Sequence, residues 1–320
     1  MKLSIVAPAF NEELNIPEFY RRASDAAMIA CPDGQYEIVL VNDGSTDGTL
    51  QLLKGIATDD RRVVAVSLSR NFGHQVALAA GLSISNGDYI LLIDLDLQDP
   101  PELVGRMIEL ATNEKADVVY GVRRSREGET LFKRATAAVF YRLLNAMSES
   151  EIPKDAGDFR LISRRVAGIL SEMPERFRFT RGLVGWLGFI QVPLEYDREP
   201  RHAGTTKYPL RKMVRLAIDA TTSFSIRPLR LASYLGLFAA SCSLVGLAYA
   251  IIAWLLNDTV AGWTSVVSAI FLVGGLQLLV LGVIGEYLGR LYIETKARPL
   301  FVVESVFRAD PVITSAQSGD

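Results

Sequence analysis

The sequence predicts an α/β domain built on a mainly parallel sheet, followed by two membrane-spanning helices. Three observations carry this. Short β-branched runs alternate with longer helical patterns through the first 150 residues, which is the signature of crossover units. Polar residues gather where the apolar runs end. Near the other end, residues 231–256 and 260–285 contain no charged side chain, and each exceeds the roughly 20 residues a helix needs to cross a bilayer.

The elements follow in order. LSIVAPAF (3–10), EIVLVN (37–42), VVAVSLS (63–69), DYILLIDLDL (88–97) and ADVVYGV (116–122) read as strands, with helices around 15–29, 48–57, 74–85 and 101–112. Parallel sheets of this kind bind ligands at the carboxyl ends of their strands. Asn11 and Glu12 follow the first strand, Asp43 the second, and Asp94 and Asp96 end the fourth. Beyond Gly121 a basic stretch, RRSREGETLFKRATAAVFYRLLN, reads as a loop and helix. The chain from DAGDFRLISRR to about residue 200 shows no clear division.

Residues 207–230 place Leu210, Met213, Val214, Ala217 and Ile218 on one helical face, with Arg211, Lys212, Arg215 and Asp219 opposite. Beside a membrane span this reads as an interfacial amphipathic segment. The full expectation is an aqueous domain over 1–206, the interfacial segment over 207–230 and spans at 231–256 and 264–288. An external loop at 257–263 and a tail at 289–320, disordered after about Ala309, complete it. Lys and Arg crowd both outer flanks and are absent from the NDTVAGW loop, so the positive-inside rule puts both termini in the cytoplasm. The apolar start breaks at Asn11-Glu12, so no signal peptide is expected.

Composition narrows the chemistry. A formal net charge of -2 argues against nucleic acid as a partner. Cys31 and Cys242 form no CxxC or metal spacing, which suggests neither a disulfide framework nor a zinc site. There is no GxGxxG after the first strand and no GxxxxGK[ST], which disfavours a dinucleotide oxidoreductase or a P-loop enzyme.

In a strand, residues i and i+2 share a face, so Asp94 and Asp96 would stand side by side. Two carboxylates that close disturb one another's ionisation unless a cation sits between them. Hard oxygen ligands of this kind suit Mg²⁺ or Mn²⁺, and Gln98 adds an amide oxygen. Asp99 reads either as a further acid or as the cap of a proline-started helix. Asp43 could bind a base or ribose, or only close a turn. His74 reads as a structural residue at a helix start, and His202 offers no metal or nucleophile pair.

Taken together, PAFNEE (8–13), VNDGSTDGT (41–49), SRNFGHQVAL (69–78), DLDLQDPPE (94–102), DAGDFRLISR (155–164) and RHAGTTKYPL (201–210) resemble the family 2 glycosyltransferases of the GT-A fold, a Rossmann-like architecture. The likeness is greatest to their membrane-anchored polyprenyl-phosphate branch, related to dolichyl-phosphate mannosyltransferase and to bactoprenol glucosyltransferases of the GtrB type.

The resemblance implies metal-dependent, inverting transfer of a single hexose from a nucleotide sugar, UDP-glucose by preference, to undecaprenyl or a similar polyprenyl phosphate at the inner membrane. It implies that Pro8, Phe10, Asn11, Glu12, Asp43 and Ser45 line the nucleotide pocket, and that Asp94, Asp96 and Gln98 hold the metal. Asp158 falls at the acceptor-side acidic position, with Asp96, Arg123 and Arg160 beside it in the catalytic set. Arg123, Arg134, Arg160, Arg201 and Lys207 become candidates for binding the donor diphosphate or the lipid phosphate. The processive QxxRW motif is missing, which favours one transfer. Rival readings are a protein or polysaccharide acceptor, or a non-catalytic nucleotide-sugar sensor. Gly274, Gly275 and Gln277 in the second span make self-association conceivable.

Overall fold

The computed structural model describes residues 1–124, 156–176, 178–199 and 262–309, with isolated positions between 229 and 252. The chain divides into two units, one holding residues 1–142, 150–210 and 299–320, the other residues 143–149 and 211–298.

The first unit is an eight-stranded sheet flanked by helices. Its strands are β1 (Leu3–Ala9), β2 (Tyr36–Asn42), β3 (Val63–Leu68), β4 (Tyr89–Leu92), β5 (Val118–Arg123), β6 (Ala156–Ser163), β7 (Gln191–Tyr196) and β8 (Val303–Phe307), in the order β7-β5-β6-β4-β1-β2-β3-β8. Its helices are α1 (Ile16–Ala30), α2 (Thr49–Asp59), α3 (His74–Ile84), α4 (Val104–Asn113), α5 (Arg164–Glu172) and α6 (Thr180–Trp186).

Every residue of β1, β2 and β3 is buried, as expected of strands covered on both faces. Leu3, Ile5 and Ala7 share a core with Ile16, Phe19 and Ala23 of α1, Leu53 of α2 and Met107 of α4. The alternate residue Val6 points to the other face. There the bare backbone of Gly81 lets α3 lie directly on Val6 and Val41, since a Cβ would stand 2.4 Å from one and 3.0 Å from the other.

The sheet is mixed rather than mainly parallel. The pairings β1/β2, β1/β4, β2/β3 and β5/β7 are parallel, whereas β4/β6, β5/β6 and β3/β8 are antiparallel. The physical source is β6, which the undivided stretch of sequence supplies and which inserts between β4 and β5 in the reverse direction. The predicted fourth strand is also too long. It ends at Leu92, and although Ile93 still donates to Val6 O at 3.1 Å, the chain then turns, with Leu97 at φ 58°. Asp94 and Asp96 therefore lie in a turn, not on a strand face.

The C-terminal stretch expected as a tail instead contributes β8, paired with β3 from Ala65↔Phe307 to Leu68↔Val303. Lys54 covers the Phe307 ring at 4.6 Å. An edge strand with unpaired donors and acceptors invites aggregation. β8 covers that edge of β3.

In the second unit, α7 (Trp263–Thr295) is a continuous 33-residue helix. Its segment Leu272–Thr295, with a mean hydropathy of 1.6, is long and apolar enough to cross a membrane, alone in this among the described residues. At ~1.5 Å per residue, 24 residues reach about 36 Å, more than a hydrocarbon core. Within the first uncharged run the described positions 232–239 are helical. Arg134, Arg201, Lys207 and nearly all of the 207–230 segment lie outside the described residues.

Gly81→Ala should destabilise the domain by about 1–3 kcal/mol through overpacking against two stiff valines. Thermal unfolding of the purified protein reads this as a clear fall in Tm.

Candidate active site

The loops after β1 and β2 are laced together. Asn11, at φ 57°, accepts from Thr46 N at 2.8 Å through Oδ1, and its own N–H donates to Ser45 Oγ at 3.0 Å. Glu12 N donates to Thr49 Oγ1 at 2.9 Å, and Gly48 N to Glu13 Oε2 at 2.7 Å. Short polar side chains thus take up backbone donors at the starts of α1 and α2. Phe10 stands exposed just after β1, whereas Pro8 is buried within it.

Asp43 is buried, and both of its oxygens accept from the backbone at the start of α3, from Phe72 N at 2.7 Å and Gly73 N at 2.9 Å. Burial raises its pKa despite these bonds. The carboxylate fixes the α3 N-terminus first. With about four lone-pair sites it retains capacity for a ligand.

α3 then delivers His74 and Gln75 to the centre. His74 Nε2 lies 3.3 Å from Asp94 Oδ1 and 3.5 Å from Asp158 Oδ2. β6 presents Asp158 beside the acidic turn, where Arg181 Nε from α6 donates to Oδ1 at 2.9 Å and Gln75 Nε2 to Oδ2 at 2.9 Å. Burial would raise the Asp158 pKa, but Arg181 and His74 overcome it and hold the carboxyl far below the usual range. For His74, burial opposes the charged form and the Asp158 and Asp94 carboxylates outweigh it, raising its pKa. The sequence reading passed over this histidine as structural. SRNFGHQVAL carried the signal, but its geometry depends on β6, which sequence did not locate.

Asp94 is the unsettled member. Burial chiefly, then the neighbouring acids, push its pKa up to about 6, while His74 pulls against them. Its Oδ1 is buried without a hydrogen-bond partner. Asp96 is buried, its Oδ1 accepting from Gln98 N at 3.1 Å.

Asp99 is not a cap: the 3-10 turn Pro101–Leu103 has Pro100 at its cap position, with no side-chain capping bond. It is 1% exposed and accepts a short hydrogen bond from the Tyr196 hydroxyl. Arg123 and Arg198 each stand 3.8 Å from the same oxygen. Arg160, two residues along β6 from Asp158, is buried and donates to Gly157 O at 2.9 Å. Burial pushes its pKa down to about 10. Through that bond it braces β6, while its Nε is buried without a hydrogen-bond partner among the described residues. Gln75, Arg181, Tyr196 and Arg198 had no sequence signal strong enough to single them out.

The family 2 glycosyl transferase model matches residues 4–169, which span β1 through the first half of α5. The chain belongs to that glycosyltransferase family. Residues 227–291 of this family 2 enzyme match the GtrB C-terminal hairpin. It is 46% identical over 308 residues to the uncharacterized glycosyltransferase YkcC of Bacillus subtilis, covering 96% of this chain and 94% of that one. It is 42% identical to the bactoprenol glucosyl transferase of Shigella phage SfX, covering 95% and 99%. The S. aureus TarS 1-349 structure in complex with UDP-GlcNAc is similar at a TM-score of 0.48 and 16% identity, covering 70% of this chain and 66% of that one.

The acids suit a divalent ion held jointly with a ligand. No group of three or more His, Cys, Asp or Glu forms a metal cage among the described residues. The buried Asp94 oxygen, ion-paired with His74 but without a hydrogen bond, lies two residues from Asp96 and nonetheless suits a cation that completes its shell with diphosphate oxygens and water.

The raised pKa of Asp94 fixes a sign. The folded state binds this proton more tightly than the unfolded chain, so the group's contribution is complete below about pH 4 and is lost as pH rises through about 6. In chelator-treated protein, Asp94→Asn should therefore gain Tm relative to wild type as pH goes from about 4.5 to 7. Parallel Tm curves would contradict this.

Proposed function

We propose that this enzyme transfers one hexose, glucose from UDP-glucose by preference, to a polyprenyl phosphate at the cytoplasmic membrane face, with inversion at the anomeric carbon. The observation that carries the reading is the similarity, over almost the whole chain and including the hairpin, to proteins named bactoprenol glucosyl transferase.

Asp94 and Asp96, aided by Gln98, would hold Mg²⁺ or Mn²⁺. Such an ion neutralises charge developing on a departing nucleoside diphosphate. The chain's own residues do the rest. Asn11, Ser45 and Asp43 frame the pocket that takes the nucleotide, and Asp158 stands on the acceptor side.

Asp158 is held ionised by Arg181 and Gln75, which makes it a weak proton acceptor at neutral pH. A phosphate monoester acceptor, with its second pKa near 6, needs no base, because it is already largely dianionic. Asp158 therefore acts by keeping Arg181 and His74 in place and by stabilising positive charge on the sugar ring.

Chain parity supports two membrane crossings. β8 follows α7 and pairs with β3 of the catalytic sheet, so the chain between residues 199 and 299 must cross an even number of times. If α7 crosses once, the uncharged run at 231–256 is the natural second span, and both termini are cytoplasmic.

Membranes carrying the protein, given labelled UDP-glucose, undecaprenyl phosphate and Mn²⁺, should form a lipid-soluble product with the mass of one added hexose. Asp94→Ala and Asp96→Ala should each lower its formation by roughly 10²-fold or more while the protein still inserts. No lipid product with any common nucleotide sugar would remove the proposal.

Topology can be read separately. With Cys31 and Cys242 replaced, Asp258→Cys should react with an impermeant thiol reagent in intact cells and Arg308→Cys only after permeabilisation.

A further inference from the structure

A polar chain runs across one corner of an otherwise apolar part of the sheet. β2 and β3 are parallel and end side by side as VLVN and VAVSL, with Asn42 paired to Ser67 in register. Asn42 is 2% exposed and Ser67 1%, and a buried amide and hydroxyl need partners. Asn42 Nδ2 donates to Ser67 Oγ at 3.2 Å, and Ser67 Oγ donates to Glu304 Oε2 at 3.3 Å. Glu304 belongs to β8, 237 residues further along the chain.

The other end of the same amide reaches the loops after β1 and β2. Asn42 Oδ1 accepts from Ser45 N at 3.1 Å and closes the turn that follows β2. Ser45 Oγ in turn accepts from Asn11 N at 3.0 Å, and Asn11 Oδ1 accepts from Thr46 N at 2.8 Å. A continuous set of bonds therefore joins β8 to the two loops.

The direction of these bonds says what Glu304 does. A serine hydroxyl has a single proton, and a carboxylate only accepts. Glu304 draws the Ser67 proton outward, which turns a lone pair of Ser67 Oγ toward Asn42 Nδ2. The amide is then held at both ends, its nitrogen on Ser67 and its oxygen on Ser45. Without Glu304 the Ser67 hydroxyl is free to rotate, and Asn42 loses the constraint on its far side.

We infer that Glu304 is a positioning residue for the nucleotide pocket, acting through Ser67 and Asn42 on the backbone of Ser45. β8 does more than close a sheet edge: it supplies the outermost acceptor of the network that shapes the turn after β2. Partial burial strengthens such a network and makes its interruption costly. The inference rests on the proposal that Asn11, Asp43 and Ser45 frame the nucleotide.

Two measurements on the purified full chain in detergent test it. Amide hydrogen exchange over residues 43–47 needs no ligand: Glu304→Ala should speed exchange at Ser45, and unchanged exchange would overturn the inference. Equilibrium binding of UDP with Mn²⁺ should weaken about threefold or more in Glu304→Ala, the scale of one misplaced hydrogen bond, and a smaller loss would also overturn it. In turnover, KM for the nucleotide sugar should rise more than kcat falls. Glu304→Gln keeps an acceptor oxygen and should restore both readings. Ser67→Ala should weaken UDP by a similar factor, and adding Glu304→Ala to it should change nothing further, because the two act in series. Phe307→Leu loosens β8 without touching the polar chain, so it should lower Tm and leave UDP affinity and Ser45 exchange as in wild type. Additive losses in the double variant, or a Phe307→Leu protein that loses UDP as Glu304→Ala does, would overturn the inference. Wild-type protein that binds UDP yet makes no lipid-linked sugar would refute the function proposed above, while Ser45 exchange and UDP affinity would still decide the role of Glu304.

Discussion

Four carboxylates crowd one edge of a sheet, and the site is organised around the need to neutralise them. Asp94, Asp96, Asp99 and Asp158 all lie in or beside the turn after β4, and close like charges resist joint ionisation. Each is settled differently. Asp158 has an arginine and an amide, and Asp99 has a phenol with two arginines nearby. Asp96 takes a backbone N–H of its own turn. Asp94 keeps a buried oxygen without a hydrogen bond and faces only His74. The unfinished neutralisation falls where an incoming cation would complete it.

The sheet's topology makes this arrangement possible. A wholly parallel sheet would bring only loop residues to the carboxyl edge. Inserting β6 antiparallel between β4 and β5 lays a strand interior beside the acidic turn, with Leu92 opposite Arg160. Asp158 is then carried by β6 two residues beyond its last pairing with β4, and α6 brings Arg181 onto it. α3 supplies the other half. Its N-terminus is pinned by Asp43, so one carboxylate two strands away sets the position of His74 and Gln75 between Asp94 and Asp158.

Much of this was legible from sequence. The alternation of apolar runs gave β1 to β3, β5 and the four helices that follow β1 to β4, because buried parallel strands and their crossover helices have strong local patterns. The motifs located Asn11, Asp43, Asp94, Asp96 and Asp158. The surroundings of Asp99 and His74 were not legible, since each includes a partner more than 60 residues away in sequence. Tyr196 lies 97 residues from Asp99, and Asp158 lies 84 residues from His74. β4 was read too long because LLIDLDL alternates like a strand. The turn that follows Ile93, with Leu97 in the left-handed region, carries no local mark such as a glycine. β6 and β8 were missed for the same reason: their strand character comes from the neighbours they pair with.

β8 carries the widest consequence. It returns the chain to the sheet after a helix long enough to span a bilayer, and a single hydrogen-bonded edge therefore constrains membrane topology. The pairing Ala65↔Phe307 to Leu68↔Val303, with Ser69 N donating to Val302 O at 3.0 Å, cannot form across a membrane. An odd number of crossings would leave the β3 edge bare and strand Val303–Phe307 on the far side. The same strand that protects an edge from aggregation thus requires that Val303–Phe307 and β3 lie on one side of any membrane the intervening chain enters, so a variant that weakens β8 pairing should lower the stability of the sheet.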